Sequence, residues 1–316
     1  MSDLLKVYFL GAGMISVPVL QAVFDSEKIE LVGIGTQPDR LAGRKKTLVP
    51  TPVGAWAAEN NIEIDKPESV NDQDYLDKIT ALAPDFILVI SFGQLLKKAI
   101  LNLPKISCVN IHASLLPELR GASPIIASLL NQCAKTGVAF MEMDKGLDTG
   151  PVYKMFEHSI SDTERCDELE LSLGKLGAVN VVDTLEKIAT GELQAETQDD
   201  SKSTYTGKVK KSDGVINWST SAQELIAKVR AYYPWPGATF RYERKKGPVV
   251  IRITEAELCD MNGSPGEVLV ADKNDWIIAC GSGAVKLNKI VPQGKSEMNG
   301  ADFLRGCQIA QGTILT

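Results

Sequence analysis

Asn110, His112 and Asp148 are the residues of this chain whose types and spacing suit chemistry. His112 is one of only two histidines in 316 residues. It closes the apolar run Cys108–His112, two positions after Asn110. Side chains alternate along a strand, so Asn110 and His112 share one face while Val109 and Ile111 share the other. Ligands of open α/β sheets bind beyond the carboxyl ends of the strands, and this strand ends at the histidine. An amide can donate to a developing oxyanion, and an imidazole can donate or exchange a proton near neutral pH. The stretch MDKGLDTGP, residues 143–151, has two glycines and two aspartates in a structured loop, with Asp148 at a turn position. An Asn, a His and a loop Asp can together run acyl transfer without a covalent intermediate, the Asp orienting a base or taking the proton that an attacking amine releases. The alternative is structural: His112 caps the turn and Asn110 bonds a loop.

Other chemistries lose support. A Ser114–His112–Asp148 triad is a poor fit, because residues two apart rarely present nucleophile and base to one another, and no G-x-S-x-G elbow exists. Neither a P-loop nor H-E-x-x-H occurs. Gly11 and Gly13 of FLGAGMIS fit G-x-G, but Ser16 holds the third glycine position, and Thr36 and Gln37 stand where an acidic ribose ligand belongs. This stretch reads as a tight βα turn. Cys108, Cys133, Cys166, Cys259, Cys280 and Cys307 are scattered, with no C-x-x-C; they read as reduced thiols, with no metal site.

A different signal lies in TQPDRLAGRKKTLVPTP, residues 36–52. It is too long for an ordinary βα connection, and Arg40, Arg44, Lys45 and Lys46 crowd it. It suits a loop that grips a phosphate backbone, or a merely solvated basic loop. The net charge of −6 argues against indiscriminate nucleic-acid binding, yet residues 208–316 hold 15 Lys+Arg against 11 Asp+Glu, a balance of +4 that leaves −10 on residues 1–207. An acidic body with a mildly basic C-terminal part can present one face to a polyanion, unless the asymmetry is chance.

Elements must position these residues. Val7–Gly11, Leu31–Thr36, Phe86–Ser91 and Cys108–His112 read as buried parallel strands. Amphipathic segments near 15–26, 52–60, 73–83 and 94–103 lie between them, the second opened by Thr51 as N-cap and Pro52 at the first helical position. The βαβ order predicts an α/β, doubly wound, mostly parallel sheet. Pro117, Arg120 and Gly121 shape a turn into a helix at 122–134, and a long helix follows at 164–191. Residues 194–207 are polar and read as a linker. Beyond it, a helix near 220–231 and short strands at 249–253, 267–271, 276–280 and 284–291 predict a small β-barrel. Domains at 1–193 and 208–316 follow, which suits a length too great for one core. With 44% apolar and 23% charged residues the composition is that of an ordinary soluble protein. No apolar run approaches the ~20 residues of a membrane span, and MSDLLK lacks the features of a signal peptide, so a cytoplasmic protein is expected.

Over nearly its whole length the chain resembles the folate-dependent formyltransferases. The resemblance rests on TQPDRLAGRKK, VPTPV, VNIHASLLPELRGASPI, TGVAFMEMDKGLDTG, INW and YYPWPGATF. The pair N-I-H-x-S-L-L-P-x-x-R-G-x-x-P-I and M-D-x-G-L-D-T-G is specific to that family, and the basic loop and Pro-Trp-Pro segment resemble its branch acting on methionyl initiator tRNA. The resemblance implies a Rossmann-like formyltransferase domain followed by an OB-like barrel, with 10-formyltetrahydrofolate as co-substrate and no metal. Asn110 and His112 are then expected to polarise the formyl carbonyl and hold the oxyanion, and Asp148 to set the protonation of His112 and help move the proton. Ile90, Ser91, Phe92, Gly93 and Gln94, with Ser114, Leu115, Leu116, Pro117, Asp144 and Gly146, would form the folate pocket. Arg40, Arg44, Lys45 and Lys46 match the loop that enters the acceptor-stem end of the tRNA, and Lys208, Lys210 and Lys211 a tRNA platform. The chain departs from the family at Gly11–Ala12–Gly13, where G-T-P is usual, and at Ser91–Phe92–Gly93–Gln94, where A-Y-G-L is usual; both flank the expected pocket. The rival expectations are a formyltransferase acting on an amino-sugar nucleotide and a non-catalytic RNA-binding relative. A monomer is expected.

Overall fold

In Val7–Leu10 and Phe86–Ile90 no side chain exceeds 4% exposure. Strands hidden on both faces require cover from both sides, and the computed structural model supplies it. It describes residues 4–42, 47–244, 247–307 and 309–316, which form two units: Met1–Pro124 with Lys135–Ile160 and Leu169–Thr206, and Ile125–Ala134 with Ser161–Glu168 and Gly207–Thr316.

The first unit is built from β1 (Leu5–Gly11), α1 (Ser16–Phe24), β2 (Ile29–Gly35), a hairpin of β3 (Arg40–Ala42) and β4 (Thr47–Val49), α2 (Pro52–Glu59), α3 (Gln73–Leu82), β5 (Phe86–Ile90), α4 (Lys98–Leu101), β6 (Ser107–His112), β7 (Arg120–Gly121), α5 (Pro124–Leu130), β8 (Lys135–Glu142), β9 (Val152–Ser159), α6 (Cys166–Ala189) and β10 (Tyr205–Thr206), α5 and the first turn of α6 falling in the second unit. The main sheet has the order β2-β1-β5-β6-β8-β9. The pairs β2/β1, β1/β5 and β5/β6 are parallel, and β6/β8 and β8/β9 are antiparallel. Tyr75, Leu76 and Ile79 of α3 pack on Tyr8, Leu10, Ile87 and Val89. The opposite face is covered by α6, where a Cβ on Gly177 would stand 3.7 Å from Ile111 Cγ2. The doubly wound, mostly parallel sheet is therefore present.

Local expectations meet it unevenly. The α2 cap is as expected: Thr51 Oγ1 accepts from Gly54 N at 2.9 Å and also pairs with Thr36 Oγ1 at 2.7 Å. Thr51→Ala should cost about 1–2 kcal/mol, read as a lower urea midpoint at unchanged slope; an unmoved midpoint would show the cap to be idle. The helix expected at 94–103 shrinks to α4. Its first residues bind elsewhere, Gln94 Oε1 accepting from Val70 N, Leu95 O from Asn71 Nδ2, and Asn71 Oδ1 from Lys97 N. The helix expected at 122–134 ends at Leu130, two residues before Gln132 takes a φ of +52°. The strands β8 and β9 were not foreseen.

In the second unit, α7 (Ala222–Ala231) starts on a capping box in which Ser221 Oγ accepts from Glu224 N and the Glu224 carboxylate accepts from Ser221 N. The strands β11 (Ala238–Tyr242), β12 (Val249–Cys259), β13 (Val268–Ala271), β14 (Trp276–Ala279) and β15 (Ala284–Pro292) form an antiparallel sheet of order β11-β12-β15-β14-β13, with β16 (Met298–Asn299) beside β15 and α8 (Gly300–Gly306) after it. Trp276, fully buried, stacks on Phe303 at 5.6 Å between ring centroids and anchors the core. Among the described residues no ladder joins β11 to β13. Among them, too, no helix is long and apolar enough to cross a membrane.

Candidate active site

The strand β6 lies between a parallel and an antiparallel neighbour, so Asn110 is opposite Val89 on β5 and Met141 on β8, and His112 is opposite Ala139. Cys108, Val109, Ile111 and His112 are buried, whereas Asn110 is half-buried. The Asn110 amide finds no hydrogen-bond partner among the described residues and is left for a ligand. Cys108, on the same face, does not compete as a nucleophile, because burial pushes its thiol well above the ordinary range.

His112 is only 6% exposed. Its Nε2 lies 3.1 Å from Leu119 O. A carbonyl only accepts, so Nε2 donates to it, which leaves Nδ1 as the nitrogen that faces away from the turn. Nδ1 lies 3.6 Å from Asp148 Oδ2. The ring thus has one nitrogen anchored and the other free to take a proton beside a carboxylate. The residue ties the turn at Leu119 through one nitrogen and faces Asp148 with the other.

The loop that delivers Asp148 holds itself in shape. Asp144 Oδ1 accepts from Gly146 N at 2.8 Å and from Thr149 Oγ1 at 2.9 Å. A Cβ on Gly146 would come within 1.9 Å of Thr149 Oγ1, so a side chain there would displace the hydroxyl that Asp144 holds. Asp148 has a φ of +55°, a left-handed conformation uncommon for a side-chain-bearing residue. Its Oδ2 accepts from Gly121 N at 2.8 Å. His112 and Asp148 are therefore brought side by side, with Asn110 two residues before His112 on the same strand.

The residues expected around folate divide by what their side chains do. Ile90 ends β5 opposite Gly11, and Ser91 and Gly93 turn the chain at φ +47° and +84°. Phe92 is buried, with its carbonyl accepting from Gln37 Nε2 at 3.0 Å. Gln94 is occupied at both ends, accepting from Val70 N and donating to Pro67 O. Ser114 Oγ donates to Glu118 O at 2.6 Å. Leu116 is buried against Ala139 and Met141, Leu115 sits against Gly137, and the Pro117 carbonyl accepts from Thr204 N. The side chains of Gln94 and Ser114 are thus occupied by main-chain partners, and Leu116 is packed in the core. At the Gly11–Gly13 turn, Glu170 Oε1 accepts from Ile15 N at 3.2 Å. A carboxylate at the start of α1 occupies the spot where a dinucleotide would put its pyrophosphate.

Of the basic residues, Arg40 is exposed on β3, and Thr36 and Thr51 pin the base of its hairpin. Arg44, Lys45 and Lys46 lie outside the described residues. Lys208, Lys210 and Lys211 are exposed in the second unit, where Lys211 shares a cleft with Thr239, Arg252 and Gln293. No disulfide joins the six cysteines, and among the described residues no group of three His, Cys, Asp or Glu could hold a metal. Sequence reasoning missed the Leu119 carbonyl and the Gly121 amide, because main-chain groups have no signature in residue type. It also missed Gln198, which lies in the segment read as a linker and donates to Asp148 O and Gly150 O.

Residues 5–185 match the formyl transferase family and residues 208–308 match the formyl transferase C-terminal domain. The chain is 38% identical over 313 residues to the methionyl-tRNA formyltransferase of Bacillus licheniformis, covering 98% of each chain. It is 36% identical to that of Bacillus subtilis, covering 98% of this chain and 97% of the relative. Among solved structures, a sugar 3N-formyl transferase, WlaRD, superposes with a TM-score of 0.65 at 19% identity over 93% of this chain and 100% of its own. HypX from Aquifex aeolicus, in complex with tetrahydrofolic acid, gives 0.62 at 15% identity, covering 96% of this chain and 47% of that longer one.

Proposed function

The chain belongs to the formyl transferase family, and from that premise we propose that it transfers the formyl group of 10-formyltetrahydrofolate to the α-amino group of methionyl initiator tRNA. The observation that carries the chemistry is the Asn110 amide, unpartnered among the described residues, on the same strand as His112, whose Nδ1 faces Asp148 at 3.6 Å. The full-length likeness to two methionyl-tRNA formyltransferases supports the acceptor.

In this reading the α-amine attacks the formyl carbon, and the Asn110 amide donates to the oxyanion that forms. The amine of an aminoacyl ester needs little activation, a free α-amine titrating near ~7.7–8.0, so placement and charge stabilisation do most of the work. His112 Nδ1 takes the proton the amine loses, and the Asp148 carboxylate stands where it stabilises the charged ring. The bond from the formyl carbon to N10 of the folate then breaks, and N10 leaves with the proton returned by His112. Atoms and charge balance without metal or nucleotide. Mixing the protein with methionyl initiator tRNA and 10-formyltetrahydrofolate should yield N-formylmethionyl-tRNA and tetrahydrofolate; no product would refute the reading.

Residues 1–193 are read as the catalytic domain and 208–316 as an OB-like tRNA-binding domain, joined by 194–207. The register shifts at Ile253/Glu255 and Glu255/Ala256 support a curled sheet of that kind. The enzyme acts as a cytoplasmic monomer. Ser91, Phe92, Gly93, Ser114, Pro117, Asp144 and Gly146 are read as the folate side; Arg40, Arg44, Lys45, Lys46, Lys208, Lys210 and Lys211 as the tRNA side. Arg44→Ala should raise the tRNA dissociation constant, leave folate binding alone and flatten the slope of log K against log salt by about 1. An unchanged slope would remove that loop from the interface. An amino-sugar nucleotide has no phosphate backbone for the basic residues of 36–52 to grip.

A further inference from the structure

Beyond the three residues above lies a network at the back of the Asp148 loop. Gln198 Nε2 donates to Asp148 O at 2.9 Å and to Gly150 O at 2.6 Å. Its Oε1 is held by a fork from one guanidinium, Arg120 Nε at 3.0 Å and Nη2 at 2.8 Å. That fork decides which end of the amide faces the loop. Arg120 is only 1% exposed. Two more of its N–H groups are met by Asp200 Oδ1 at 2.8 Å and Tyr205 Oη at 3.0 Å.

All these partners come from residues 198–205, and the same segment ties the main chain. Arg120 N donates to Thr204 O at 2.9 Å, Leu119 N donates to Thr204 Oγ1 at 2.8 Å, and β10 pairs with β7. Gly121 has a φ of +112°, and a Cβ there would lie 2.3 Å from Thr206 O, so only glycine lets the segment approach this closely. The same segment thus grips both residues of β7. One of them, Gly121, holds the Asp148 carboxylate through its N–H; the other, Arg120, holds the Asp148 carbonyl through Gln198. A left-handed aspartate, a conformation uncommon for a residue with a side chain, is clamped at both ends.

We infer that Gln198, oriented by Arg120, is a positioning residue that keeps Asp148 in its left-handed conformation and so sets the carboxylate against His112. The inference rests on the formyl-transfer reading. It assigns the 198–206 segment a role in catalysis although its side chains need not touch either substrate.

Gln198→Glu is the discriminating change. It keeps an oxygen for Arg120 and the side-chain length, and removes both donors to the loop. Single-turnover transfer should slow about 10- to 100-fold, as misplacement of a catalytic group does, with KM for both substrates within about twofold and little loss of thermal stability. If Gln198 acts through Asp148, the effect is not multiplicative: in an Asp148→Asn background, Gln198→Glu should slow transfer by less than about threefold. An unchanged rate in the single variant, or full multiplication in the double one, would overturn the inference. Should the glutamate variant not fold, Gln198→Ala, which lets water reach Arg120 and the carbonyls, is held to the same two requirements. Failure of the wild-type protein to transfer formyl at all would instead refute the reading beneath.

Discussion

Asn110→Ala should lower the rate of formyl transfer about 100- to 1000-fold, the loss seen when one donor to a developing oxyanion is deleted. The structure adds a separate expectation. The Asn110 amide bonds to nothing in the described protein, and its side chain is half-buried. Its removal therefore breaks no native hydrogen bond, and the thermal midpoint should hardly move. Binding of folate and tRNA should weaken little, because the interaction strengthens only as charge develops on the oxygen. Measured rate constants, KM values and melting temperatures separate this from a folding defect. A loss below about threefold would take Asn110 out of the mechanism, and a large fall in stability would return it to a structural role.

Asp148→Ala should be of similar or larger effect, about 100- to 10,000-fold, the range for a group that serves proton transfer. Two things go at once, the acceptor for Gly121 N and the carboxylate 3.6 Å from His112 Nδ1. Asp148→Asn tells them apart. Asparagine tolerates a φ of +55°, and its amide oxygen can still accept from Gly121, so the loop should stay in place while the charge is lost. If the charge matters, the asparagine variant falls nearly as far as the alanine variant at unchanged KM. If geometry alone matters, it keeps most of its rate, and the carboxylate loses the role given to it.

How much of this was legible beforehand follows from the kind of contact each element makes. The strands β1, β5 and β6 could be read because burial on both faces demands unbroken apolar runs, the edge strand β2 by its Leu31–Ile34 run although that run is mostly half-buried, and Thr51–Pro52 announced α2 because a cap is chemistry in the side chain. Asn110 and His112 stood out for the same reason, their common face following from the period of a strand. The pair β8 and β9 escaped: Val138–Met141 is a short run behind Gly137, and β9 is an edge strand with half of its residues open to solvent. Gly237 and the adjoining prolines disguised the start of β11. The segment 194–207 looked like a linker because polar residues pack through hydrogen bonds to main chain, which no hydrophobic pattern records. Gln198 on the carbonyls of Asp148 and Gly150 is such a contact, as is His112 on Leu119. Three residues of the candidate site could thus be named from their types, whereas the groups that aim them became visible only in three dimensions.

The measurement that tests the account most directly is single-turnover formyl transfer from 10-formyltetrahydrofolate, with methionyl initiator tRNA, methionyl elongator tRNA and a UDP-amino sugar offered separately to the same enzyme. The account predicts fast transfer to the initiator species alone. Transfer to the sugar nucleotide, or to none of the three, would contradict it.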